Sequence, residues 1–248
     1  VNSGATAGEW ADAGGGADLY TANESSPSAQ PSATGANSVA IGDSAVASGA
    51  DSFAIGDNAD ATSGGAIAIG TSAQSTYINT VAIGESSSAS GNRSMALGRT
   101  ASASADYSTA IGLNSSVQGS VTATGAGAMA LGGSRASGVD SFAATIDNNT
   151  TSYGASGANS IAMGDRAKAS GSRGIAIGGY NPQDTGASTL AFGYQALASA
   201  TYASGIGYQS KATGQYSWAA NTSLASGNYS TALGISDNSS SYGAQHVS

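Results

Sequence analysis

One pentapeptide sets the terms for this chain. Ser38-Val39-Ala40-Ile41-Gly42 returns as Ser52-Phe53-Ala54-Ile55-Gly56, Ala66-Ile67-Ala68-Ile69-Gly70, Thr80-Val81-Ala82-Ile83-Gly84, Ser94-Met95-Ala96-Leu97-Gly98 and Ser108-Thr109-Ala110-Ile111-Gly112. The closing glycines stand 14 residues apart throughout this stretch. A short fixed period means a stack of like coils, each in contact with its neighbours alone. After Gly112 the spacing loosens, yet the motif continues through Ser160-Ile161-Ala162-Met163-Gly164 and Gly174-Ile175-Ala176-Ile177-Gly178 to Ser230-Thr231-Ala232-Leu233-Gly234, giving 14 copies in all. The repeat therefore fills residues 37–235. Residues 1–36, with Trp10, Pro27 and Pro31, read as a non-repeat connector, and 236–248 as a tail leading to a further part of a longer protein. Surplus residues near 113–128, 146–158 and 179–187 are expected to loop out, because insertions in repeat proteins map to loops.

Each coil has a second, weaker half. After Gly42 comes Asp43-Ser44-Ala45-Val46-Ala47-Ser48-Gly49, with another glycine seven residues on. The unit reads as strand, turn, strand, turn, with period-two alternation in both strands. Glycine, Asn and Asp at the breaks supply the turn conformations. Glycine recurs too often for helix, so the fold class is all-β: a parallel β-roll, or solenoid, of 14-residue coils. With coils about 4.8 Å apart, the rod would be on the order of 65 Å long.

The larger apolar residues of the motif, Val39, Ile41, Ile55, Ile69, Ile83, Leu97 and Ile111, are expected to form the roll core, packing against the alanines of the second strand. The residue between them is alanine in 13 of the 14 copies, and glycine (Gly205) in the other. A solvated position would drift toward Lys, Glu and Thr. The stripe Ala40, Ala54, Ala68, Ala82, Ala96, Ala110 therefore marks a close approach by another backbone, and is expected to be the trimer interface between identical chains around a shared axis, the alternative being tight packing within one chain.

Composition removes several functions. Seven basic against 15 acidic residues leave a net charge of −8. Binding nucleic acid through phosphates, or docking on anionic lipid, needs clustered cations instead. There is no cysteine, hence no disulfide or thiolate chemistry. No apolar run approaches the roughly 20 residues of a membrane span.

The repeated Ser-Val-Ala-Ile-Gly motif at 14-residue spacing resembles the head repeat of trimeric autotransporter adhesins, the YadA-like head. The resemblance covers about residues 37–235. It implies a left-handed roll, three chains in one homotrimer, and a role in adhesion at the cell surface, with a cell-surface glycan or protein as receptor. The same repeat occurs in bacteriophage tail and virion fibres, and the irregular insertions, such as that after Ser141-Phe142-Ala143-Ala144-Thr145, are similar to those of phage fibre proteins. An adhesive phage fibre segment is the favoured expectation. The alternatives are an autotransporter head and a purely structural spacer.

No residue pattern here supports catalysis, a cofactor or a metal. His246 is the single histidine and lies in the tail, too isolated for a zinc site or a triad. Asp57-Asn58-Ala59-Asp60 offers oxygen ligands without the spacing of a calcium loop. Tyrosine is the remaining candidate for contact with a ligand. Tyr202, Tyr216 and Tyr229 hold one turn position in successive coils, and Tyr194 and Tyr208 the neighbouring one. Such rings would either stack on a sugar or polymer, or stack on each other and shield the edge of the roll.

Overall fold

The computed structural model describes residues 30–112, 120–145 and 152–234. These hold 28 short strands and no helix. The first four set the pattern: β1 (Ser32–Ala33), β2 (Val39–Ile41), β3 (Val46–Ala47) and β4 (Phe53–Ile55). Odd-numbered strands form one 14-stranded sheet and even-numbered strands another. Each strand pairs in parallel with the strand two later, so every step is one coil. The register is exact across coils: Val39 faces Phe53, Ala40 faces Ala54, and Ile41 faces Ile55. The result is a parallel β-solenoid, as the period predicts, with 14 strands in each sheet and about 13 complete coils against the 14 copies of the motif counted in the sequence. The sheet built from the pentapeptides is called here the motif sheet, and its two-residue counterpart the short sheet.

Two turns per coil close the roll, and each holds a residue in the left-handed region. Asn37, Ser44, Asp51 and Asn58, seven apart, have φ of 56°, 57°, 55° and 52°. Asn and Asp tolerate this conformation. The motif glycine is needed for a further reason. Gly56 has φ of 131°, and a Cβ there would sit 2.6 Å from the carbonyl oxygen of Gly70 in the next coil. The motif serine locks the other turn: Ser52 Oγ donates to the Gly49 carbonyl at 2.7 Å, and Ser108 Oγ to Ala105 at 2.7 Å.

The interior reverses the expected faces. Ala54, Ala68, Ala82, Ala96 and Ala110 are completely buried within the single chain, and Ala40 packs against the same cluster. Opposite them lie the buried alanines of the short sheet, among them Ala47, Ala61, Ala89 and Ala103. The alanine stripe is thus the core of one roll and does not face a second chain. Val39, Ile41, Ile55, Ile69, Ile83, Leu97 and Ile111 point outward, and Ile83 and Ile111 are each 38% exposed. The physical reason is width. Two tight turns bring the sheets so close that a methyl group from each side fills the gap. At Gly205 even a Cβ would meet the Leu197 carbonyl oxygen at 2.6 Å.

The segments expected to loop out are also largely coil. Thr122–Ala123, Gly154–Ala155 and Gln183–Asp184 are strands of the short sheet, and Val121 and Pro182 are buried beside two of them. Of the surplus residues, 113–119 and 146–151 lie outside the described residues, as do most of the connector and the tail with His246.

Candidate binding surfaces

Function in a solenoid of this kind belongs to its faces and edges. The motif sheet presents two outward columns of large side chains, one on each side of the buried alanine. Phe53, Met95, Met129 and Trp218 stand in the first, Met163 belongs with Ile83 in the second, and Phe192 there is 50% exposed. Exact register turns these into a continuous apolar ridge from Val39 to Leu233. Contiguous apolar surface on this scale is uncommon on a monomeric protein.

The turn edges carry aromatic ladders. Tyr180, Tyr194 and Tyr208 stack with ring centroids 5.4 and 5.2 Å apart. Tyr202, Tyr216 and Tyr229 stack on the other edge at 4.8 and 5.0 Å, with interplanar angles of 15° and 5°. The Arg166 guanidinium caps the first ladder, 4.9 Å from the Tyr180 ring centre, and donates to its hydroxyl at 2.5 Å. Arg93 sits over Tyr107 in the same way at 5.6 Å. Inner ring faces are therefore occupied by neighbouring rings, leaving edges and hydroxyls for any ligand. The spacing of the tyrosines located both ladders except Tyr180, which stands 14 residues before Tyr194 but lies in the stretch 179–187 expected to loop out.

Beside the first ladder, the short sheet and its turns enclose a shallow groove of about 500 Å³. Its sides include Asn181, Gln183, Gln195, Gln209, Lys211 and Leu224. Gln209 Nε2 donates to Gln195 Oε1 at 2.8 Å, joining two coils, and Gln183 Nε2 donates to Asn181 Oδ1 at 3.0 Å within one coil. Sequence reasoning missed this groove. Its signal was the run of amides at one turn position in successive coils.

One buried titratable group breaks the core pattern. Asp184 takes the place of an interior alanine of the short sheet, paired in register with Ala169 and Ala198. Burial pushes its carboxyl up to about 7, opposed in part by the Gly171 amide, which donates to Oδ2 at 3.2 Å. Oδ1 has no hydrogen-bond partner. Room for the carboxyl comes from Gly174, which stands where most coils have Ser or Thr. A Cβ on Gly174 would lie 1.6 Å from Asp184 Oδ2. Asp184 is sealed from solvent, so its raised carboxyl has no access to a substrate.

No group of three or more metal-ligating side chains occurs among the described residues. Around Asp57, the Asn58 amide donates to Oδ1 at 2.8 Å, an ordinary turn contact.

No curated protein matches the chain. The YadA head domain repeat matches residues 33–59, 78–99, 89–115, 155–181, 185–204, 198–217 and 221–235, together more than half of the sequence. Those segments coincide with the coils whose turns, buried alanines and outward apolar columns are described above. The chain belongs to the YadA head repeat family.

Proposed function

We propose that this chain is a segment of a non-enzymatic, homotrimeric attachment fibre, with three left-handed rolls side by side and their motif sheets turned toward a common axis. The observation that carries this reading is the apolar ridge of the motif sheet, which runs the length of the rod. A soluble monomer rarely leaves so long a hydrophobic stripe open to water, and three copies meeting around an axis would cover it on every chain at once. Trimerisation thus uses Val39, Ile41, Ile69 and Ile83, not the alanines between them. Attachment to a host or other surface then falls to what remains outward: the short sheet, the turn ladders and the irregular segments. The setting is extracellular, on a phage virion or on a bacterial surface. The family match supports an adhesive fibre in either setting.

The test pairs two substitutions. Ile69→Glu with Ile83→Glu puts charge into the proposed interface but leaves the core of the roll untouched, whereas Ala68→Glu puts charge inside it. Sedimentation should show a trimer for the native chain, a folded monomer for the double isoleucine variant, and loss of β-structure for Ala68→Glu. A native chain that sediments as a folded monomer refutes the trimer. Attachment is tested by binding of the trimer to intact cells, and a trimer that adheres to no surface would leave only a spacer role.

A further inference from the structure

The outer face of the short sheet carries a charge pattern that the net charge of the chain conceals. In-register pairing sets one outward residue per coil in a single column, the first residue of each short strand. This column holds Arg135, Lys168 and Lys211, three of the seven basic residues of the protein, and a single acid, Asp60. Asp60 lies at a distance from them, separated from Arg135 by the coils of Gln74, Ser88, Ser102 and Thr122. Among the described residues, the ion pairs are Arg99 with Glu85 and Arg166 with Asp165, so the three cations of the column are not neutralised by a carboxylate. Lys168 follows Arg135 by two coils and Lys211 follows Lys168 by three, which places the charges about 10 and about 14 Å apart.

The surroundings of this column are polar in a regular way. The residue two further along each coil is Ser or Thr without exception, from Thr34 and Ser48 to Thr213 and Ser226, and all are at least partly exposed. On the other side stand the amides of Asn181, Gln195 and Gln209, held outward by left-handed turns with φ of 49°, 53° and 51°. The floor between them includes the exposed face of Leu224.

We propose that this face, from Arg135 to Leu224, binds a linear anionic polysaccharide lying along the fibre axis. The proposal rests on the attachment reading above and gives that attachment a ligand class. Hydroxyl and amide rows repeat once per coil, a length close to that of one pyranose ring, and they offer both donors and acceptors to sugar hydroxyls. The leucine floor suits the C–H face of a sugar. A polyuronate, with a carboxylate on every sugar, would bring one carboxylate opposite each of the three cations and turn the others to solvent. A nucleic acid strand needs clustered cations for its phosphates, which three charges about 10 and about 14 Å apart do not provide, and it offers few hydroxyls to the Ser, Thr and amide rows. The motif sheet lies on the opposite side of the roll, so trimer formation leaves this face open.

The experiment uses the full chain, with alginate oligomers as the probe, dextran as the neutral control and single-stranded DNA as the competing polyanion. Alginate should bind and dextran should not. The triple variant Arg135→Gln, Lys168→Gln, Lys211→Gln should weaken alginate binding at least tenfold and flatten its salt dependence. Gln195→Ala with Gln209→Ala should weaken it several-fold and leave the salt dependence unchanged. Because all five side chains point outward, circular dichroism and sedimentation should match the native protein. Alginate binding no better than dextran, binding untouched by the triple variant, or DNA bound as tightly through the same residues overturns the proposal. Cell attachment measured in parallel separates the two readings. Full attachment by the triple variant would refute this site and keep the adhesive function. Alginate binding without attachment to any surface would support the site and sink the adhesive function.

Discussion

Asp184 and Gly174 make a pair whose energetics can be worked out. Asp184 is fully buried, with its carboxyl raised from 3.8 to about 7. A raised acid pKa means that the folded coil keeps the proton after the unfolded chain has released it. The stability of this coil is therefore fully present below about pH 4 and falls as pH rises, levelling off above about pH 7. The shift of about 3 pK corresponds to about 4 kcal/mol between those limits, or roughly three orders of magnitude in a local opening equilibrium. In a solenoid, neighbouring coils open semi-independently, so the loss should be concentrated in coils 168–189. Hydrogen exchange reads this directly. The amides of Lys168, Ser170 and Thr185, bonded to the carbonyls of Pro182, Asp184 and Ala198, should lose protection between about pH 4 and about pH 7 beyond the intrinsic change in exchange rate. Amides of the Ala54 to Ala110 coils should not. Asp184→Asn should abolish the difference. Gly174→Ser should destabilise the native chain by steric conflict with Oδ2, and Asp184→Ala combined with Gly174→Ser should restore the repeat pattern and the protection. Equal pH dependence in the native chain and Asp184→Asn, or additive effects of the Gly174 and Asp184 changes, would refute the account.

Two further perturbations follow from the turns. Gly56→Ala forces an L-residue to φ of 131° with its Cβ 2.6 Å from the Gly70 carbonyl oxygen, and should destabilise by at least about 1–3 kcal/mol, seen as a lower denaturation midpoint. Tyr216→Ala removes the central ring of the second ladder and with it two stacked contacts, at about 0.5–1.5 kcal/mol each. Near-ultraviolet circular dichroism should lose the coupled tyrosine signal while the far-ultraviolet spectrum stays unchanged.

The architecture was legible because its determinant is periodicity itself. A left-handed turn residue at about every seventh position, with the motif glycine beside alternate ones, sets the turns, and parallel in-register stacking then follows from like coils meeting like. The orientation of the strands was not legible from the motif alone. Val39 and Ile41 have more apolar surface than Ala40, and the usual expectation sends the larger groups inward. What decides the matter is the space between the sheets, a property of both halves of the coil. The signal lay in the weaker half, where the inward positions Ala47, Ala61, Ala89 and Ala103 are small as well, leaving no partner deep enough for isoleucine. The Asp184–Gly174 pair could have been found as two simultaneous departures from the repeat, ten residues apart. The cationic column was hidden for a different reason: net charge averages over faces that the fold keeps separate.

The alanine interior also determines how the fibre meets temperature. Heat capacity of unfolding rises with the apolar surface exposed and falls with the polar surface exposed. A roll filled with methyl groups and laced with backbone hydrogen bonds exposes little of the first and much of the second when it opens. Its stability curve should therefore be shallow, with a broad plateau from cold to warm. The larger aliphatic side chains sit on the outward columns of the motif sheet instead, so in the proposed trimer the heat-capacity change would belong mainly to the joining of chains. Cooling would loosen the association of rolls well before it loosened the coils themselves.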